Sequence, residues 1–138
     1  QSPGIKSFVA IDVDSFKQIN DAHGHAVGDQ VLREISDCIR TEADVCYRTG
    51  GDEFLIVLDA PISGAQVVAD RIQQAVSALS IESVKPSVSV GCGVTPRAAD
   101  REMYLEKQAK AKAPCPWEIE SGKALADEII HACQSSQN

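Results

Sequence analysis

The sequence contains no apolar run long enough to cross a bilayer: its longest, such as residues 54–58, fall far short of the roughly 20 residues a membrane helix needs. The amino end lacks a signal-peptide h-region as well. A soluble, cytoplasmic chain without membrane contact is therefore expected. Cysteine is present but without pattern. Cys38, Cys46, Cys92, Cys115 and Cys133 form an odd set with no Cys-x-x-Cys spacing, which gives no sign of a disulfide framework or a zinc knuckle and favours reduced, mostly buried thiols. Basic residues are few, with 13 Lys+Arg against 20 Asp+Glu and a net charge of −7. A nucleic-acid footprint or a polybasic anchor needs clustered Lys and Arg, so neither is expected. A small polyanion stays open, because a divalent cation can stand between carboxylates and phosphates. Internal repeats, low-complexity tracts and linkers are also missing. A chain of 138 residues with 43% hydrophobic and 24% charged residues then suits one globular domain.

Residues 8–13 are apolar and partly β-branched, and read as a buried first strand that stops at Asp14. Residues 15–20 follow, then a Gly- and His-containing loop over 21–28. Val27, Val31, Leu32, Ile35 and Ile39 recur at helical spacing and predict a helix from about residue 28 to 40. Residues 45–49 and 54–58 are β-prone runs joined by Gly50-Gly51-Asp52-Glu53, a hairpin whose glycines can take positive φ. Ala65, Val68, Ala69, Ile72, Val76 and Leu79 mark a second helix, with Ser63 as its N-cap and Pro61 before it. Residues 87–94 read as a strand between Pro86 and Pro96, and a third helix spans about 98–112, ended by Pro114 and Pro116. Leu125, Ile129, Ile130 and Cys133 fall on one face of a fourth helix, and Trp117 reads as a core plug beneath it. The order predicts an α/β sandwich with helices packed on a mixed sheet of four or five strands.

Two constellations carry chemistry. Asp12 and Asp14 close the first strand, and their side chains are expected to point apart, one of them facing a site beyond the strand end where α/β sheets commonly place ligands. A solvated strand end or a helix cap would use the same residues. Asp52 and Glu53 lie at the hairpin tip behind Gly50 and Gly51. A tight turn explains them equally well, whereas a functional reading has the glycines admit a ligand to the backbone while the acids bind a hard cation. First strand and hairpin would be neighbours in a compact sheet, so both clusters could converge on Mg²⁺ and a nucleoside triphosphate. His23 and His25 do not have the spacing of a structural zinc site.

The segments Asp12-Val13-Asp14-Ser15-Phe16-Lys17-Gln18-Ile19-Asn20-Asp21, Gly24-His25, Gly28-Asp29 and Arg48-Thr49-Gly50-Gly51-Asp52-Glu53-Phe54 resemble the GGDEF domain family of diguanylate cyclases. Ser87-Val88-Ser89-Val90-Gly91 is similar to the family's strand before its last helix, and Ala99-Asp100 with Tyr104 and Lys107 to its "AD..LY.AK" pattern. The resemblance implies a palm-like α/β fold, ferredoxin-like and similar to class III nucleotide cyclases. It also implies condensation of two GTP into the bacterial second messenger cyclic di-GMP across a homodimer, with Mg²⁺ or Mn²⁺ as cofactor and a sensor or receiver domain as partner. Carried over by position, Asp12 and Asp52 would ligate metal with the Val13 carbonyl, and Glu53 would assist metal binding or hydroxyl activation. Asn20 and Asp29 would read guanine. Backbone amides near Phe16 and Lys17, with the Lys107 ammonium, would hold the β- and γ-phosphates. Gly50 and Gly51 would leave room for ribose and α-phosphate, and His25 would order the loop near the base.

The chain departs from the family in three places. The front helix carrying "D.LTGL.NRR" is not found before the first strand, so residues 1–138 read as one GGDEF domain without it. Either the chain is a fragment that lacks that helix, or segment 121–133 of the divergent tail 114–138, which is expected to carry the fourth helix, fills part of the groove. Where the family has Gly-Arg-Asn after Lys107, this chain has Lys110-Ala111-Lys112, which replaces a forked phosphate donor with point charges and predicts weaker triphosphate binding. A catalytically silent GTP-binding or protein-interaction module is the alternative these changes favour, and a plain ferredoxin-like interaction domain is a third. The family's inhibitory Arg-x-x-Asp upstream of the hairpin reads Thr41-Glu42-Ala43-Asp44 here. Product inhibition through that turn is predicted to be absent; calorimetry that finds tight cyclic di-GMP binding abolished by Asp44→Ala would contradict this.

Overall fold

The β-branched run Ser7–Val13 forms β1, the strand on which the rest is assembled. A computed structural model describes residues 5–112 of the protein. β1 leads into two helices, α1 (Phe16–His23) and α2 (His25–Glu42), then a hairpin of β2 (Val45–Arg48) and β3 (Glu53–Leu58), then α3 (Ile62–Ser77), β4 (Val88–Gly93) and α4 (Pro96–Lys112). Strand order is β2-β3-β1-β4, so β1 is central, flanked by the hairpin on one side and β4 on the other. This βαββαβ arrangement is the ferredoxin-like one expected for a palm-like domain. It differs in one detail from the expected mixed sheet, since all three described pairings are antiparallel.

The chain divides into two compact units, Gln1–Lys107 and Gln108–Asn138, and the sheet lies in the first. The predicted tail helix, its groove-filling role and Trp117 lie outside the described residues. The expected loop over 21–28 is helical apart from one break at Gly24, whose φ of 91° is open to glycine and costly for other residues. α3 begins at Ile62 with Pro61 at its N-cap, not Ser63, because proline fixes a φ suited to a helix start. Among the described residues, no helix is long and apolar enough to cross a membrane. Cys38, Cys46 and Cys92 are free and half-buried, more accessible than expected, and burial pushes each thiol's pKa up.

The two faces of the sheet are unequal. Val9, Ile11 and Val13 of β1 join Phe54 and Ile56 of β3 and pack against Val31, Ile35 and Ile39 of α2 and Ala65, Ile72 and Val76 of α3. The intervening Ala10 faces Ala99 and Met103 of α4 in a smaller cluster. α4 sits close because Gly91 and Gly93 offer it no side chain. A Cβ at Gly91 would lie 2.0 Å from the Met103 nitrogen and 2.3 Å from the Ala99 carbonyl oxygen. Those are backbone atoms of a helix, so they cannot yield as a rotamer does. Gly91→Ala should therefore displace α4 and cost about 3 kcal/mol or more, the upper part of the range for overpacking; urea denaturation of the variant checks it.

Candidate active site

Antiparallel register selects the side chains that meet. Asp12 stands opposite Glu53 of β3 and opposite Ser89 of β4, so the three project from the α4 face in one row. The Val13 N–H donates to the Asp52 carbonyl at 3.0 Å, which folds the hairpin tip onto the end of β1. Arg48, to which sequence reasoning gave no role, holds the tip from within, its guanidinium donating to the carbonyls of Gly50 and Gly51. As a result one carboxylate oxygen from each of Asp12, Asp52 and Glu53 lies within 4.8 Å of the others.

This cluster is short of positive charge. Asp12 is only 7% exposed; its Oδ2 receives the Lys107 ammonium from α4, and its Oδ1 is buried without a hydrogen-bond partner. Burial raises the pKa of Asp12 above the ordinary carboxylate value, against the Lys107 hydrogen bond and with help from the Asp52 charge. Glu53 is raised too, by burial and then by the charges of Asp12, Asp52 and Asp100, with Lys107 opposing. For Lys107 burial works against the charged form, but the hydrogen bond to Asp12 and the charges of Asp12, Asp52 and Asp14 outweigh it and raise its pKa. Three carboxylates sharing one ammonium, with a buried carboxylate oxygen unpaired, fit a hard divalent cation that takes oxygen ligands.

Asp14 corrects an expectation. Residues two apart on a strand share a face, and Asp14 accepts from Ser89 Oγ at 2.6 Å and Ser87 Oγ at 2.7 Å, on the same side as Asp12. It is a clamp to β4. With the Asp14 N–H donating to the Ser87 carbonyl at 2.9 Å, it fixes the turn where Ser15 adopts a left-handed φ of 55°. A non-glycine residue held there costs of order 1 kcal/mol. The turn aims the first N–H groups of α1, at Phe16 and Lys17, out of the helix end, where no side chain caps them. The Lys17 side chain itself is exposed and lies 3.8 Å from Asp21.

Asn20 of α1 is brought against Gly28 of α2, where a Cβ would fall 1.8 Å from its Oδ1. That oxygen is buried and, like Asp12 Oδ1, has no partner among the described residues. Asp29, one residue on, is exposed and lines a groove of about 540 Å³ with Arg33, Arg40, Asp44 and Arg48, to which Asp12, Asp52 and Glu53 do not contribute. His25 is the first residue of α2 and is exposed. The structure thus joins Asp12, Asp52, Glu53 and Lys107 in one site, and sets Asn20 beside the start of α2 that carries Asp29.

The family model for the diguanylate cyclase GGDEF domain matches residues 4–113. This chain belongs to the GGDEF domain family. It is 40% identical to Diguanylate cyclase A of Treponema denticola over 74% of its own length and 32% of that protein's. Identity with Diguanylate cyclase DgcS of Shewanella oneidensis is 34%, over 75% of this chain and 35% of the relative. The chain therefore spans about a third of the length of these curated relatives. Among solved structures, it superposes on the GGDEF domain of YfiN from Pseudomonas aeruginosa with a TM-score of 0.66 at 35% identity, covering 75% of this chain and 76% of that one. The active GGEEF domain of a Vibrio cholerae diguanylate cyclase gives 0.69 at 28% identity, covering 75% and 77%.

Within the GGDEF string the glycines do not serve the expected turn geometry. Gly24 is the one glycine at positive φ among the described residues. A Cβ on Gly51 would meet nothing within 4 Å, and one on Gly50 would make ordinary contacts with Glu53. The described fold itself does not demand glycine at either position. At the upstream turn, the Thr41 hydroxyl donates to the Cys38 carbonyl at 2.7 Å, while Arg40 reaches back to Ser36 at 3.0 Å and Asp37 at 3.7 Å. Because burial and like charges disfavour ionised Glu53, folding carries a penalty above its pKa that fades as pH falls. Glu53→Gln should raise the thermal midpoint of the metal-free protein at neutral pH, with the difference vanishing toward pH 4; melting curves across that range check it.

Proposed function

We propose that this GGDEF domain condenses two GTP into cyclic di-GMP and two pyrophosphates, with two copies of the domain meeting face to face. The observation that carries the reading is the buried, unpaired Asp12 Oδ1 in a row with Asp52 and Glu53 beside a lysine. Asp12, Asp52 and the Val13 carbonyl would hold Mg²⁺ or Mn²⁺, with Glu53 assisting. Bound there, the cation supplies neutralisation of phosphate charge and acidification of the attacking hydroxyl.

The chain's own residues supply the rest. The Lys107 ammonium and the uncapped N–H groups at Phe16 and Lys17 hold the β- and γ-phosphates, as helix N-termini commonly do. The buried Asn20 Oδ1 accepts from a guanine N–H, and the Asp29 carboxylate accepts from another, so the base meets the acceptor the fold leaves unsatisfied. Gly50 and Gly51 leave open backbone where ribose and α-phosphate approach. As the 3′-hydroxyl oxygen of one GTP bonds to the α-phosphorus of the other, Glu53 takes the hydroxyl proton and pyrophosphate leaves. Burial and neighbouring carboxylates raise the pKa of Glu53, which suits a proton acceptor. The same transfer in the opposite sense closes the ring, which is why two domains are required.

The curated relatives are about three times longer, and SiaD of Pseudomonas aeruginosa was crystallised with its activator SiaC. An input domain or activator protein, acting in the cytoplasm, completes the proposal. The Lys110-Ala111-Lys112 departure favours the silent module as second reading. Incubation with GTP and Mg²⁺ or Mn²⁺, followed by separation of products, tests both. Cyclic di-GMP should form and fall at least about 100-fold in Asp52→Ala and Glu53→Ala. GTP binding without turnover would favour the silent module, and no binding with either metal would contradict both.

A further inference from the structure

The Lys107 ammonium lies directly on Asp12 Oδ2, although Lys107 is counted among the phosphate ligands in the proposed function. One ammonium cannot serve both partners in full. Asp12 is fixed: its strand is paired on both sides, and its side chain is 10% exposed. α4 is fixed as well. Gly91 and Gly93 seat its backbone on β4, and Glu106, the neighbour of Lys107, accepts from Gln73 Nε2 at 2.7 Å and from the Val90 N–H at 3.3 Å. The Lys107 side chain is 37% exposed on a flexible four-carbon stem, so it is the group able to move.

We propose that Lys107 is a tethered counter-ion that neutralises Asp12 in the cation-free domain and is displaced when a divalent cation enters, so that cation binding releases the ammonium toward phosphate. The inference rests on reading the acidic row as a divalent-cation site. A buried Asp12 carboxylate beside the half-buried Asp52 and Glu53 is unfavourable without a cation, and the lysine offsets part of that penalty without filling the site, because Asp12 Oδ1 stays unpaired. An entering cation contends with the ammonium for the same carboxylate, and the ammonium then swings on its stem with α4 in place. Coupling of this kind is reciprocal. A triphosphate that draws Lys107 off Asp12 tightens the cation, and the cation tightens the triphosphate. Each ligand alone binds less well than the pair, which keeps the site from committing to cation without nucleotide.

The test uses Mn²⁺ alone, without nucleotide, titrated into the 138-residue chain and followed by the electron paramagnetic resonance of free Mn²⁺. Lys107→Met keeps the stem and removes the charge, and should bind Mn²⁺ about tenfold more tightly than the natural chain, within the usual span of coupled sites. Lysine side-chain ¹H–¹⁵N spectra of the natural chain should show a Lys107 ammonium signal held by Asp12 and lost on saturation with Mg²⁺. Equal or weaker Mn²⁺ binding by the variant, or a Lys107 signal that Mg²⁺ leaves unchanged, overturns the inference and leaves the cyclase reading standing. Absence of Mn²⁺ binding by both proteins overturns the two together.

Discussion

The hydrogen bond from the Val13 N–H to the Asp52 carbonyl joins the end of the central strand to the tip of the hairpin, and the site follows from it. β1 and β3 already bring Asp12 opposite Glu53 by register. Register alone would leave Asp52 beyond the ladder, free to follow solvent. The backbone bond, reinforced by Arg48 on the glycine carbonyls, turns that loop residue into the third member of a carboxylate cluster. A one-residue slip of β3 would send Glu53 to the opposite face and bury it among Ile11, Ile35 and Ile56, so the apolar core that fixes the register also keeps Glu53 beside Asp12.

Proximity of like charges is unfavourable, and the fold tolerates it because other contacts hold the acids in place. Val9, Ile11 and Val13 anchor β1 from the far face, while α4 covers the near face at backbone distance over Gly91 and Gly93. Asp14 is drawn off by two serines of the 87–89 segment, which keeps a fourth carboxylate from crowding the cluster. An excess of negative charge remains and one oxygen of Asp12 is unpaired, a set of donors that fits a divalent cation.

Much of this is legible in the sequence, for reasons that can be stated residue by residue. The stripe Val31, Leu32, Ile35 and Ile39 has the helical period, and all four residues are buried. The hairpin follows from two β-prone runs around a Gly-Gly-Asp tip. The split of residues 16–42 into two helices was not legible, because residues 21–28 carry little apolar signal and the break depends on one glycine. Strand direction was not legible either, since it is set by how the crossovers pack. Asp12 and Asp14 do not point apart as expected, because strand alternation places residues two apart on one face. Arg48 is in the family motif, but its hold on the hairpin tip is not legible, because its partners are backbone carbonyls, which leave no pattern in composition. Asp12, Asp52, Glu53 and Lys107 stand out in the sequence through their match to the family motif; the ion pair that ties Lys107 to Asp12 leaves no trace there.

The acidic row that the register of β1 with the hairpin builds is proposed to hold a cation. Anomalous diffraction from crystals grown with Mn²⁺ and a non-reactive GTP analogue tests it most directly. A Mn²⁺ peak coordinated by Asp12 and Asp52, with Glu53 alongside, is the predicted result. An ordered hairpin with no peak at those carboxylates, or Mn²⁺ held only elsewhere on the domain, would contradict it.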